Sequence, residues 1–445
     1  LTRYGLFDAK VPRYTSYPPA NHFQNGVGRQ NQRAWLEAVP VGSDVSIYIH
    51  IPFCRRLCWF CACRTQGTKT LGPVEGYVAT LISEIERVRE TLPSDIRMAR
   101  LHLGGGTPTI LPAPLMKKLL GVVFEAFAPT QAFEFSVEID PTDAAPDLLQ
   151  TFADFGLNRA SIGVQDFDPE VQQAIGREQS FEQTQQVVDQ LRGADVPSLN
   201  FDLLYGLPHQ THQTFADTIY KVLSLQPDRL AIYGYAHVPW MSKRQVMIKD
   251  ESLPAPMQRL MLSEQAKDAF QNAGYKAVGI DHFALPHDSL ASSAANGTLR
   301  RNFQGYTDDT SPTLIGFGAS AISRFREGFS QNAVATSAYQ NHIKDAALAG
   351  VKGFALSPQD NLISDMIENL MCHFELDLPR LFKNYPDKWS QIETYIAGLM
   401  SRFPDVLSRR DNVVSLRDDA RSLIRIIAHD IDGFKANLEA HSAAV

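Results

Sequence analysis

Long apolar runs are missing from this 445-residue sequence. None reaches the roughly 20 residues that a membrane-spanning helix needs, so no membrane partner is expected. Basic excess is missing too: 42 Lys and Arg stand against 49 Asp and Glu, a net charge of -7, and nothing marks a nucleic-acid surface. There is no tandem repeat and no low-complexity tract. No export signal opens the sequence, which together with oxidisable thiols predicts a reducing cytoplasm. Cysteine is scarce, at five residues. The sequence holds no second C-x-x-C and no H-x-x-x-H to complete a structural zinc site. What remains is an ordinary globular composition, 44% hydrophobic and 20% charged, long enough for one large α/β domain plus a smaller one.

Against that scarcity, four of the five cysteines crowd into ten residues, Cys54-Arg-Arg-Leu-Cys58-Trp-Phe-Cys61-Ala-Cys63. They follow a β-branched run over residues 46–53. Thiolates packed this closely on a loop after a strand suit an iron–sulphur cluster, with zinc as the alternative. Cys54, Cys58 and Cys61 give C-x3-C-x2-C, which departs from the four-cysteine ferredoxin spacings. Three ligands leave one iron open to a small molecule. Cys63 reads as a near neighbour rather than a ligand, and Cys372 stands alone in an apolar stretch.

The rest of the chain divides by pattern. Residues 1–40 carry Pro12, Pro18 and Pro19 among aromatics and read as an irregular arm packed on the main domain. From 41 to 285, β-branched runs at 46–51, 100–103, 134–139, 160–164, 199–203 and 230–235 alternate with helical patterns at 75–92, 112–127, 146–155, 181–194, 211–225 and 255–273. Strands alternating with helices imply parallel pairing with right-handed crossovers. Residues 286–355 hold Gly- and Ser-rich turns and read as an extension or linker. Residues 356–445 read as a smaller, mostly helical domain with one strand candidate at 412–416. Polar and glycine residues gather at strand ends: the cysteines, 104–107, Glu138, Gln165, Asp202 and His237. In such folds the carboxyl ends of the strands converge on the site.

Single residues keep a second reading. Glu138 closes an alternating run and can accept from an ammonium or a ribose. Asp202 ends another strand in the same way. A lone acid there is often a turn or cap residue, but two beside a cysteine cluster favour a site. Phe60 can stack on an adenine or simply pack. Tyr48 and His50 alternate on the first strand and share a face. Arg177, taken alone, reads as a surface helix charge.

The cysteine spacing, followed about forty residues later by Leu103-Gly-Gly-Gly-Thr-Pro108, resembles the radical S-adenosylmethionine (SAM) enzymes. Six further stretches narrow the resemblance: Pro12-Arg-Tyr-Thr-Ser-Tyr-Pro18, Ile49-His-Ile-Pro-Phe-Cys54, Val137-Glu-Ile-Asp-Pro141, Gly163-Val-Gln-Asp-Phe167, Asp202-Leu-Leu-Tyr-Gly-Leu-Pro208 and Arg301-Asn-Phe-Gln-Gly-Tyr306. Together they resemble the oxygen-independent coproporphyrinogen III oxidase family.

The resemblance implies an α/β fold, an incomplete (β/α)6 barrel with the N-terminal arm closing over its mouth. It implies a 4Fe-4S cluster on Cys54, Cys58 and Cys61, and two SAM molecules. Positions matching the first SAM site are Tyr48, Gly105, Glu138 and Ile322. Those matching the second are Phe60, Gly106, Thr107, Gln165, Arg177, Asp202 and Ala236. Tyr48, His50 and Glu138 are the implied catalytic positions. The implied substrate is coproporphyrinogen III, whose four carboxylates call for arginines; Arg13, Arg300 and Arg301 lie in the matching stretches. Two propionates become vinyls, with an electron donor and a final acceptor that the sequence does not identify. The chain is expected to act as a monomer.

Two departures stand out. Ala62 replaces a familiar glycine, and Ile431-Asp-Gly-Phe434 replaces Phe-Asp-x-Tyr. A haem-binding chaperone on the same barrel, or a haem-degrading or methyl-transferring radical SAM relative, are the alternatives.

Overall fold

The computed structural model describes residues 2–434. One twelve-stranded sheet organises the larger part of the chain. In chain order its strands are β1 (Asp44–Ile51), β2 (Arg97–Gly105), β3 (Ala128–Ile139), β4 (Arg159–Gln165), β5 (Ser198–Tyr205), β6 (Arg229–Gly234), β7 (Lys276–Val278), β8 (His282–Ala284), β9 (Leu314–Phe317), β10 (Ile322–Arg324), β11 (Gly328–Asn332) and β12 (Gly350–Ala355). Their spatial order is β12-β11-β10-β9-β1-β2-β3-β4-β5-β6-β8-β7, open at both ends among the described residues. The six strands expected from the sequence lie side by side and parallel.

The strands read as they do because each alternates. On β1, Val45, Ile47, Ile49 and Ile51 are buried against the helices outside the sheet, so Ser46, Tyr48 and His50 take the opposite face. The same division runs through Leu101 and Leu103 against Arg100 and His102, Val137 against Glu138, and Phe201 against Asp202. The apolar half binds the helices. The polar half faces a shared interior. Arg100 pairs with Glu134 at 2.6 Å and Asp308 at 3.0 Å near the strand starts, so the far end of that interior is filled by ion pairs.

Segment 286–355 does more than link. Its β9 pairs parallel with β1 as a seventh parallel strand, and β10–β12 extend the sheet antiparallel. The strands are three to six residues long and glycine-rich, too short for a period to show. The segment is held by Glu84, a buried acid on the helix Gly72–Thr91. Glu84 accepts from the Gly318 N–H, the Asn332 amide and the Tyr339 hydroxyl, each at 2.7 Å. Burial pushes its carboxyl up to about 7 against those donors.

The first 40 residues are less irregular than the sequence suggests. Arg29–Glu37 is a helix with Gln32, Trp35 and Leu36 buried at i, i+3 and i+4. Nine residues give about two and a half turns, which the prolines before it mask. Leu6, Tyr14 and Tyr17 join the apolar cluster of the C-terminal unit, and Arg425 of that unit hydrogen-bonds the Val11 and Pro12 carbonyls at 2.5 and 3.1 Å. That unit carries the helices Pro358–His373, Leu378–Asn384, Trp389–Arg402 and Ile424–Ile431. It also holds a three-stranded antiparallel sheet, of which the sequence showed only Val413–Leu416.

Candidate active site

The carboxyl ends of β1–β6 surround a cavity of about 1010 Å³, at the upper end of small-molecule sites. Cys54, Cys58 and Cys61 line it, as do Phe60, Gly105, Gly106, Thr107 and Glu138. Gln165, Arg177, Asp202 and Ala236 complete the opposite wall, and Arg13 reaches in from the arm. Tyr48 stands one step behind, stacked on His102 with centroids 5.8 Å apart. Ile322 lies beyond Tyr48, where its carbonyl would be 2.6 Å from a Cβ at Gly316, the strand partner of Tyr48. Arg300 and Arg301 do not line the main cavity; they line a smaller pocket beside it.

The cysteine loop leaves β1 and is tied down from two sides. Trp59 N–H donates to the Ile175 carbonyl at 2.9 Å, and its ring lies so close to Gly176 that a Cβ there would meet it at 2.9 Å. From the other side, Ser242 donates to the Cys61 carbonyl at 2.9 Å, Arg244 to the Thr65 carbonyl at 2.7 Å and Gln245 to the Phe60 carbonyl at 2.8 Å. Sequence reasoning missed these three clamps, and nothing in their local pattern marks them.

The thiols suit an electropositive group. Burial pushes Cys54 up to about 11 and Cys58 upward as well, so their thiolates need positive charge nearby, which irons supply. Hydrogen bonds from Cys63 hold Cys61 low instead. Among the described residues no three His, Cys, Asp or Glu side chains close on a single ion. A cluster needs no such convergence, because each thiolate takes a different iron. Cys63 is exposed, and its N–H lies 3.4 Å from the Cys61 sulphur.

Arg177 is not the surface charge its neighbours suggested. It is 8% exposed, and its Nη1 reaches Asp140 at 3.0 Å and the Cys58 sulphur at 3.7 Å. Nη2 donates to the Gly163 carbonyl at 2.9 Å. Burial opposes its charge, but Asp140 and Cys58 hold the guanidinium protonated. Long-range ion pairing of this kind leaves no local signal.

Glu138 presents a carboxylate to the cavity. Its Oε2 accepts from the Gly105 N–H at 3.0 Å and its Oε1 lies 3.4 Å from His102 Nε2. Burial works to raise its carboxyl, yet His102 and the Gly105 N–H hold it below the ordinary value. The side chain keeps 42% of its surface accessible, so a charged carboxylate faces the cavity. Gly105 is required here: φ is +114°, and a Cβ would stand 2.6 Å from the His50 ring. His102, itself fixed by Ser136 at 2.6 Å, was missed in the sequence. Its position as the polar residue inside Leu101-His102-Leu103 was the available signal.

Burial lowers His50, so the ring is neutral. Burial also raises Tyr48 far above its ordinary range, and the hydroxyl keeps its proton. His50 Nδ1 therefore accepts from Tyr48 OH at 2.8 Å, and Nε2–H faces the Arg64 carbonyl at 3.3 Å. Across the cavity Asp202 accepts from Ser161 and Asn200, each at 2.9 Å, and burial raises its carboxyl. The arm closes one side: Arg13 donates to the Gly234 carbonyl at the end of β6 at 2.8 Å. Of the departures, Ile431 is buried in the C-terminal cluster. Phe434 packs its ring against Tyr17, His22 and Phe354, with centroids 5.0 to 5.6 Å apart.

A three-cysteine loop at the carboxyl end of a parallel α/β sheet, over a cavity with a charged acid at its wall, defines a radical SAM site. The radical SAM superfamily model matches residues 48–221. The oxygen-independent coproporphyrinogen III oxidase of Paracoccus denitrificans is 49% identical over 445 residues, covering 100% of this chain and 99% of the relative. The Escherichia coli protein of the same name is 39% identical, covering 84% of this chain and 81% of its own. The solved structure of a coproporphyrinogen III oxidase from Escherichia coli, described as a radical SAM enzyme, superposes with a TM-score of 0.91 at 34% identity, covering 95% of this chain and 97% of that one. The chain belongs to the oxygen-independent coproporphyrinogen III oxidase family of radical SAM enzymes.

Proposed function

We propose that this chain converts two propionates of coproporphyrinogen III to vinyls, giving protoporphyrinogen IX for haem synthesis without oxygen. The observation that carries the reading is the single large cavity in which the thiol loop, Glu138, Asp202 and the arm meet. Each reacting propionate loses one hydrogen atom from its β-carbon, one electron and carbon dioxide. When bound, a reduced 4Fe-4S cluster and SAM supply the one-electron chemistry that removes the hydrogen. Cys54, Cys58 and Cys61 hold the cluster. Glu138 holds a cationic or ribose group of the first SAM, and the strand-end backbone at Gly105 and Gly106 lets that ligand approach closely. A second SAM fits the wall formed by Phe60, Gln165, Arg177, Asp202 and Ala236, one SAM for each propionate.

Tyr48 and His50 act as positioning residues. They fix the end of β1 from which the cysteine loop leaves, and neither carries charge into the cavity. The arm, held from behind by the C-terminal unit, excludes water from the mouth. The electron released with the carbon dioxide would pass to an acceptor, and a bound cluster would need a donor, each a one-electron partner. All of these parts come from one chain, which supports a monomer. No helix among the described residues is long and apolar enough to cross a membrane, and the clustered thiols favour the cytoplasm.

Glu138→Gln keeps the size of the side chain and removes its charge. A charge-assisted hydrogen bond contributes on the order of 1.5–3 kcal/mol, so SAM affinity falls about tenfold or more while iron content stays normal. Unchanged SAM binding in an iron-replete variant would return Glu138 to a packing role. The function itself is tested by anaerobic turnover of coproporphyrinogen III with reduced enzyme and SAM, products identified by mass. Stoichiometric haem transfer with no SAM consumed would instead favour a chaperone.

A further inference from the structure

Beside the main cavity lies a small pocket of about 50 Å³, room for one group the size of a few waters and not for a ring. It is walled by the arm, the hairpin strands Arg300–Asn302 and Gly305–Thr307, β10 and the helix Pro358–His373. Thr15, Thr307, Asp309 and Leu314 line both spaces, so the pocket opens off the cavity wall.

Its charges do not cancel. Arg300, Arg301 and Arg324 face Asp309 and Glu368: three positive charges against two negative leave one positive. The two acids are already engaged. Glu368 accepts from Arg300 Nε at 3.1 Å and from the Arg301 N–H at 3.2 Å. Asp309 accepts from the Ser46 hydroxyl at 2.5 Å and the Ser311 N–H at 2.9 Å. Arg301 is 8% exposed, and its Nη1 is buried with no hydrogen-bond partner, a cost of roughly 1–3 kcal/mol unless something accepts from it. The Arg324 side chain has no ion-pair or hydrogen-bond partner among the described residues.

We infer that this pocket seats one carboxylate of the tetrapyrrole, from a propionate that is not decarboxylated, and that Arg324 and Arg301 hold it. The inference rests on the proposed substrate. Two of four propionates react, so two others must be kept away from the reacting position. A carboxylate anchored to a guanidinium pair sets which edge of the macrocycle turns toward the cysteine loop. Arg324 thereby selects orientation without touching the reacting carbon.

The test uses cluster-loaded enzyme and two substrates. One is coproporphyrinogen III; the other has one unreacting propionate replaced by ethyl. Wild-type enzyme is expected to show a KM about tenfold or more higher for one such ethyl analogue, with kcat little changed. Arg324→Ala is expected to raise KM for coproporphyrinogen III by a similar factor and to handle both substrates alike, with iron content and SAM binding at wild-type levels. Arg324→Lys should recover part of the loss. Equal KM for all analogues on the wild-type enzyme overturns the pocket, and that arm needs no variant to fold. An unchanged KM in Arg324→Ala overturns it as well. No turnover of coproporphyrinogen III by the wild-type enzyme would instead overturn the substrate assignment beneath it.

Discussion

Cys54→Ala, Cys58→Ala and Cys61→Ala each abolish the cluster and all SAM-dependent activity, whereas Cys63→Ala keeps the iron. This is the largest effect expected of any single substitution. Reconstituted under anaerobic conditions, the wild-type chain should bind about four irons. The three thiols stand on a loop fixed at Ile175, Ser242 and Gln245. Loss of one thiolate leaves two ligands and no open-iron arrangement. Cys63 acts on Cys61 partly through its backbone N–H, which alanine retains. Cys372, buried beside Leu290 and Tyr306 away from the loop, should tolerate alanine with both cluster and activity intact. Iron analysis and visible absorbance read these outcomes. Equal iron loss in Cys63→Ala and Cys54→Ala would overturn the three-ligand assignment.

Removal of residues 1–18 is expected to separate the two halves of the reaction. That segment places Arg13 and Thr15 on the cavity wall and binds Leu6, Tyr14 and Tyr17 into the C-terminal cluster. Among the described residues, no hydrogen bond or ion pair joins it to the cysteine loop. Iron content and reductive SAM cleavage should therefore persist. Decarboxylation should fall on the order of 10²-fold, the scale set by loss of substrate positioning, and 5′-deoxyadenosine should form without protoporphyrinogen. Arg13→Ala makes a milder version, losing the 2.8 Å contact to Gly234 and one cation from the cavity wall. Full conversion by the truncated chain, with SAM use still matched to product, would reduce the arm to packing.

These two experiments probe the parts that the sequence announced most clearly. The six parallel strands were legible because each alternates an outward apolar residue with an inward polar one, as in Val137-Glu138-Ile139. The same strand pattern places Glu138, Asp202 and the cysteines at one end of the sheet from the sequence alone. What escaped depends on contacts remote in sequence. Arg177 meets Asp140 and Cys58 from 37 and 119 residues away, and nothing local distinguishes it from a solvated charge. The strands β9–β12 are too short to show a period, and they are fixed by Glu84 from a distant helix. Gln245 and Ser242 clamp the loop from a segment without regular pattern. That Arg300 and Arg301 lie together in a side pocket was not legible either, because its walls come from four separate stretches of chain.

The most direct measurement uses coproporphyrinogen III carrying deuterium on the propionate β-carbons, turned over anaerobically with reduced enzyme and unlabelled SAM. The expected result is protoporphyrinogen IX together with 5′-deoxyadenosine that carries deuterium, two SAM consumed for each tetrapyrrole. Vinyl product accompanied by unlabelled 5′-deoxyadenosine, or tetrapyrrole recovered unchanged from fully cluster-loaded enzyme, would contradict hydrogen abstraction from the substrate in this cavity.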